Sequence, residues 1–290
     1  MQTLKLGEVT ISQVIEIDRS SFPTASMLPG SDADVIARHH RWLKPHFFDE
    51  RTGDLASRIQ TYVVKTPRHT ILIDTGVGND KARTLLAPAW NMRTGGGYLD
   101  DLAAVGVTPE RVDFVVCTHL HVDHVGWNTR WKDGRWVPTF PNARYVFAGA
   151  EWEFWKYENE SGKEESGCIA DSVVPVVEAG QALLVDSDFK IGEHLRLEPW
   201  VGHTPGHVCV RLTTSAGTAV FSGDLMHRTV QVAEPQWSSR FCYDPGRARL
   251  TRREFVERHA DSGTMILAGH FPHPGFIVKE AGSFRFTLPS

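Results

Sequence analysis

The stretch from Cys117 to Gly126, Cys-Thr-His-Leu-His-Val-Asp-His-Val-Gly, limits what this chain can be more than any other. Four side chains of metal-ligand type, His119, His121, Asp123 and His124, crowd into it directly after the mostly apolar run Val112 to Val116. Imidazole and carboxylate are ligand types that a borderline cation such as zinc accepts. On an extended backbone, residues two apart point the same way, so His119 and His121 can reach one ion. Asp123 and His124 lie past a bend and can reach a second. Desolvating three imidazoles and a carboxylate at this density would be costly without a cation, which argues against an ordinary polar turn. A lone His-x-His would say little; the full His-x-His-x-Asp-His string is a strong signal.

The rest of the chain bounds the class. Its 290 residues suffice for one large domain or two small ones. No linker is clear enough to divide them, so a single domain over 1–290 is expected. A formal charge of -4 argues against a general nucleic-acid or anionic-membrane binder. No apolar run approaches the length needed to cross a bilayer. Met1 to Glu8 lacks an apolar signal core, and a cytoplasmic protein is the expectation. Cys117, Cys168, Cys209 and Cys242 show no C-x-x-C pairing, so buried, reduced thiols are expected.

In chain order, residues 3–17 alternate roughly between apolar and polar and predict one or two strands. Residues 18–57 have weak periodicity but hold Phe22, Trp42, Phe47 and Phe48, which argues against disorder. A long irregular segment of this kind reads as a lid, a subunit contact or surface packing. The pair His39-His40 within it reads as solvated surface rather than ligand. Arg58 to Lys65 and Thr70 to Asp74 predict two strands. Asp74 either braces the metal loop or caps the next turn. Tyr98 to Val105 predicts a helix stopped by Gly106. The chain then reaches His119 at the carboxyl end of a strand over 112–118, where α/β sheets place their sites. Beyond it come a polar hairpin or loop (130–141), a short strand (143–147), a helix (150–157) carrying Trp152 and Trp155, and a helix then a strand within 169–185.

The second half repeats this style. Strands over 195–201, 208–213, 218–221 and 264–268 alternate with glycine turns, and a surface helix with apolar Leu250, Phe255 and Val256 covers 250–259. Three further ligand candidates follow these strands: His203 in Gly-His-Thr-Pro-Gly-His, Asp224 in Ser-Gly-Asp, and His270 in Gly-His. His203 and His207 share one turn; His203 is taken as the ligand and His207 as packed or bracing. Together the seven predict a dinuclear centre. His119, His121 and His203 would hold one ion, Asp123, His124 and His270 the other, and Asp224 could bridge both. Two metals about 3.5–4 Å apart can share a hydroxide and polarise a substrate oxygen.

These ordered motifs, spanning residues 74 to 270, resemble the metallo-β-lactamase superfamily. The resemblance implies an α/β fold, a four-layer αββα sandwich of two mixed sheets with the metals at one edge. It also implies the ligand set above and two Zn²⁺ ions per chain. The segment from Gly223 to His227, with Val230 to Ala233, is similar to methyl parathion hydrolase and its lactonase-like relatives. Many N-acyl-homoserine lactonases carry a tyrosine three residues after the bridging aspartate; here that position is His227. It could donate a proton to a leaving alkoxide, or support the site from behind. The expected catalytic groups are therefore Asp123, Asp224 and His227. The expected activity is cleavage of a small lactone or carboxylic ester by a metal-bridging hydroxide, with phosphotriester hydrolysis as the alternative. Only 20 residues follow His270, too few for the helical domain of glyoxalase II. A redox diiron protein would carry glutamate in place of His121. Phe22, Trp152, Trp155, Trp237 and Phe271 are candidate pocket walls, and a homodimer through residues 18–57 is a further expectation from the resemblance.

Overall fold

A computed structural model describes residues 3–19, 22–84 and 88–289. The chain divides into two compact units, each built from separated stretches. The first comprises Met1–Ile17 and Ile59–Phe189; the second comprises Asp18–Arg58 and Lys190–Ser290.

The first unit is built on a seven-stranded sheet in the order Thr3–Leu6, Val9–Ile17, Ile59–Lys65, Thr70–Ile73, Phe114–Val116, Arg144–Ala148, Ala182–Val185. The first three pairings are antiparallel and the last three parallel. Parallel neighbours cannot be joined by a tight hairpin and need crossovers. The crossovers carry the helix Tyr98–Ala104, the short helix Val122–Val125, and the helices Gly149–Glu160 and Val174–Glu178. The Tyr98 helix has Asp100 and Asp101 in its first turn, where the helix dipole favours acids. It ends before Gly106, whose φ of 72° suits a residue without a side chain. The polar stretch expected near 130–141 is a hairpin of Thr129–Lys132 and Arg135–Pro138.

The second unit has a five-stranded sheet in the order Lys190–Ile191, Leu195–Pro199, Val208–Thr214, Gly217–Gly223, Met265–Ala268. Three pairings are antiparallel and the last is parallel, so this sheet is also mixed. The expected fold class, α/β with two mixed sheets, is what the chain forms. A hairpin of Phe276–Glu280 and Ser283–Thr287 follows, unforeseen from the sequence.

Residues 18–57 are less irregular than expected. They hold the helices Thr24–Met27, Ala33–Arg38 and His40–Leu43 and a short hairpin of Phe48–Asp49 with Asp54–Leu55. Met27, Leu28, Leu43, Phe47 and Leu55 join one apolar core with Trp200, Phe255, Phe271 and Phe286. Burying each such side chain contributes about 1.5–3 kcal/mol, so the segment is anchored in its unit. His39 is not solvated surface: its Nε2 lies 2.8 Å from Glu234, half-buried. The helix Pro245–His259 starts with Asp244 accepting from the Arg247 amide. It buries Ala248, Thr251, Arg252, Phe255, Val256 and His259. Leu250 is 65% exposed. At 3.6 residues per turn it sits about 140° around the helix from Phe255, so those two could not share a face. Among the described residues no helix is long and apolar enough to cross a membrane.

Candidate metal centre

Each unit brings a set of candidate ligands to the carboxyl ends of parallel strands. In the first unit, the strand ending at Ile73 delivers Asp74 and the strand ending at Val116 delivers Thr118 and His119. The ladder stops there because the Thr118 amide donates to Asp74 Oδ1 at 2.8 Å. Asp74 sits at φ 57°, a left-handed conformation that Asp tolerates better than most residues.

That carboxylate orders the whole loop. Thr118 Oγ1 donates to it at 2.8 Å and His124 Nδ1 lies 2.9 Å from it. A carboxylate only accepts, so His124 carries its proton on Nδ1. The Thr118 hydroxyl, with its hydrogen spent on Asp74, accepts from His119 Nδ1 at 3.1 Å. One buried acid therefore fixes the tautomers of two histidines and leaves both Nε2 atoms as lone-pair donors. His119 Nε2 comes within 3.1 Å of His121 Nδ1, and the rings of His119 and His124 are 4.1 Å apart. Two nitrogens on one tetrahedral zinc at 2.0–2.1 Å would stand about 3.3 Å apart, so the pair is spaced for a shared ion. Asp123 Oδ1 lies 3.8 Å from His124 Nε2. The Asp74 alternatives resolve to the brace.

Glu151, which sequence reasoning missed, stands behind the loop. Only 1% exposed, it accepts from the Leu120 amide at 3.0 Å and from Trp155 Nε1 at 2.7 Å. Trp155 in turn sets its ring edge-on to His121 at 5.2 Å. Glu151 belongs to the helix after the neighbouring parallel strand, and no local pattern in the sequence marks that proximity.

In the second unit, Gly217–Gly223 and Met265–Ala268 run parallel and adjacent, with Gly223 paired to Ala268. Asp224 and His270 therefore emerge side by side. His270 Nε2 lies 3.0 Å from Asp224 Oδ1, and His227 Nε2 and His203 Nε2 lie 3.1 and 3.4 Å from Oδ2. Asp224, His227 and His270 could hold an ion together. The donor chemistry fits a cation. His270 Nδ1 is 2.7 Å from the Arg58 carbonyl and must donate there. A neutral ring then turns its bare Nε2 toward the carboxylate, and a positive charge between them removes the repulsion. His207 is a brace rather than a ligand. Its Nε2 accepts from the Asp224 amide at 3.1 Å, and its Nδ1 donates to the Trp200 carbonyl. Burial lowers the pKa of His227, chiefly by desolvation, against the pull of Asp224. The Gln231 side chain accepts from the amides of His227 and Arg228, fixing this turn.

The candidate pocket walls separate. Trp237 and Phe271 are packed in the apolar core of the second unit, and Trp152 is buried in the first. Trp155 remains half-buried beside His121, and Phe22 stands edge-on to Phe241 at 5.4 Å.

The sequence model of the Metallo-beta-lactamase superfamily matches residues 56–270. An N-acyl homoserine lactonase of Bacillus cereus is 26% identical over 164 residues, covering 53% of this chain and 57% of that protein. The chain thus spans a little over half the length of this curated relative. The crystal structure of the hydrolase AbOPH, in the beta lactamase superfamily, is 27% identical, with a TM-score of 0.79 over 99% of this chain and 97% of that one. The fold also matches AidC, a dizinc quorum-quenching lactonase in complex with its N-hexanoyl-L-homoserine product. Identity there is 20% and the TM-score 0.74, over 100% of this chain and 97% of that one.

Proposed function

Because this chain belongs to the metallo-β-lactamase superfamily, we propose that it is a two-zinc hydrolase of lactones or carboxylic esters, close in kind to N-acyl-homoserine lactonases. In this reading His119, His121 and His203 hold one ion, Asp123, His124 and His270 the other, and Asp224 bridges them. The observation that carries it is the fixing of tautomers. His119, His124 and His270 each spend Nδ1 on a protein acceptor and turn Nε2 to the ligand side. That is how metal-binding histidines are held.

When bound, zinc supplies Lewis acidity, which makes water nucleophilic near neutral pH and polarises the scissile carbonyl. The protein's own groups do the positioning. His207 holds the Asp224 backbone and His227 holds its carboxylate. Neutral His227 has its Nε2–H toward Asp224, and this geometry favours the supporting role over proton donation. Trp155, tethered by Glu151, offers a flat apolar wall beside His121.

The test is a panel of acyl-homoserine lactones, aryl esters, aryl phosphotriesters and a β-lactam, run on zinc-loaded enzyme. Lactone or ester turnover is expected to exceed the others. Turnover of phosphotriesters alone would replace the substrate class, and turnover of none would remove the proposal.

A further inference from the structure

The Nδ1 of His203 meets sulfur. The ring turns Nε2 toward Asp224 Oδ2 at 3.4 Å, while Nδ1 lies 3.6 Å from Cys242 Sγ, and all three side chains are buried. An Nε2 that gives its lone pair to a cation leaves the ring proton on Nδ1, so the sulfur is the acceptor. The other ligand candidates fixed through Nδ1 use oxygen: a carboxylate for His124, a hydroxyl for His119 and a carbonyl for His270. Sulfur accepts more weakly than any of these.

The backbone holds Cys242 in this place. The Tyr243 amide donates to the His203 carbonyl at 2.8 Å and the Asp244 amide to the Gly202 carbonyl at 3.0 Å. The segment carrying the thiol is therefore bonded directly to the segment carrying the imidazole. Gly202, at a φ of 131°, permits the approach, because a Cβ there would lie 2.5 Å from the Ala248 nitrogen in the first turns of the helix Pro245–His259.

A second donor faces the same sulfur. Arg252, fully buried, donates to the carbonyls of Leu225, Pro235 and Trp237 and also reaches the Cys242 thiol. No carboxylate among the described residues pairs with this guanidinium. Cys242 thus stands between two nitrogen donors, one of them a buried cation, where an anionic acceptor would serve both.

We propose that Cys242 is the positioning residue of His203, keeping its proton on Nδ1 and its Nε2 toward Asp224, and that sulfur makes this the weakest of the tethers that orient the ligand histidines. The proposal rests on the reading of His203 as a zinc ligand and adds what orients it.

Zinc affinity, measured by competition with a chromophoric chelator, tests it without turnover. Cys242→Ala removes the acceptor and is expected to weaken binding about 10-fold, the lower end of the usual range for a lost ligand support. Cys242→Ser keeps an acceptor and should stay within about threefold of wild type. Cys242→Asp should bind zinc about 10-fold tighter than wild type, because a charged acceptor strengthens the hydrogen bond. Packing alone cannot give this order, since an aspartate would then be the worst of the three replacements. Wild-type affinity in Cys242→Ala, or a folded Cys242→Asp that binds no tighter than wild type, would overturn the proposal. If Cys242→Asp does not fold, the other two variants decide, and equal losses in both would overturn it. His203→Ala separates the two readings. Zinc binding that this variant leaves unchanged removes His203 as a ligand and the tether with it; zinc binding that it weakens while Cys242→Ala does not removes the tether alone.

Discussion

Asp74 does through one carboxylate what two separate braces would otherwise do. It takes His124 directly and His119 through the Thr118 hydroxyl. Asp74→Asn keeps the volume but puts a donor where only acceptors serve. Zinc affinity is expected to fall about 10- to 100-fold, the usual effect of losing a ligand's hydrogen-bond support. A competition titration against a chromophoric chelator measures it, and unchanged affinity would refute the relay. Asp224→Ala should lower both zinc content and rate; full stoichiometry in that variant would refute bridging. His227→Ala should keep zinc and lose about 10- to 100-fold in turnover if the ring only supports Asp224. Zinc loss in that variant would instead make His227 a ligand, which its 3.1 Å approach to Asp224 also permits.

At the scale of elements, the metal loop is pinned to the turn after Asp74 by backbone hydrogen bonds. The Thr75 amide donates to the His124 carbonyl at 2.8 Å, the Gly126 amide to Gly76 at 2.7 Å, and the Trp127 amide to Thr75 at 2.9 Å. Buried Glu16 locks the same turn by accepting from Val77, Gly78 and Trp127 Nε1. The two turns leave no space where they meet. A Cβ at Gly126 would lie 1.9 Å from the Val77 carbonyl carbon. Gly126→Ala must push the two turns apart, at about 1–3 kcal/mol for overpacking. The melting temperature is expected to drop by roughly 2–10 °C, with weakened zinc binding alongside. A variant that melts and binds zinc like wild type would show that the two turns do not depend on this contact.

For the molecule as a whole, buried Lys81 makes stability depend on pH. Lys81 has no exposed side-chain surface; its Nζ sits 3.7 Å from the centre of the Trp136 ring, near Asp171 and Thr129. Desolvation, only partly offset by Asp171, brings its pKa down to about 8. The unfolded lysine, near 10.4, binds the proton more tightly. Folding therefore carries a penalty below pH 8 that is relieved as pH rises from about 8 to 10.4. Wild-type stability should climb relative to Lys81→Met across that window, by at most about 1.4 kcal/mol per pH unit. Urea unfolding at several pH values reads it, and parallel curves would reject it. Chelation should lower the melting temperature over the whole range, because zinc favours the state that binds it.

Local sequence determined much here. The His119–His124 string, the apolar runs that become parallel strands and the glycine turns after them are short-range patterns, and each states its chemistry within a few residues. The class of fold, the clustering of His and Asp side chains that could hold a metal and the strand-end placement of Asp224 and His270 were legible for that reason. Other features depend on residues far apart in the chain. Glu151 reaches the Leu120 amide only because two parallel strands lie side by side. Residues 18–57 looked irregular because three short helices and a two-residue hairpin give no lasting period, yet their apolar residues find a core among residues 200–286. Arg58 and Arg228 read as ordinary charges in sequence. Only tertiary structure brings the Arg58 carbonyl to His270 and the Arg228 guanidinium to the His227 carbonyl, because a residue's partner across the fold is set by packing and not by its neighbours in the chain.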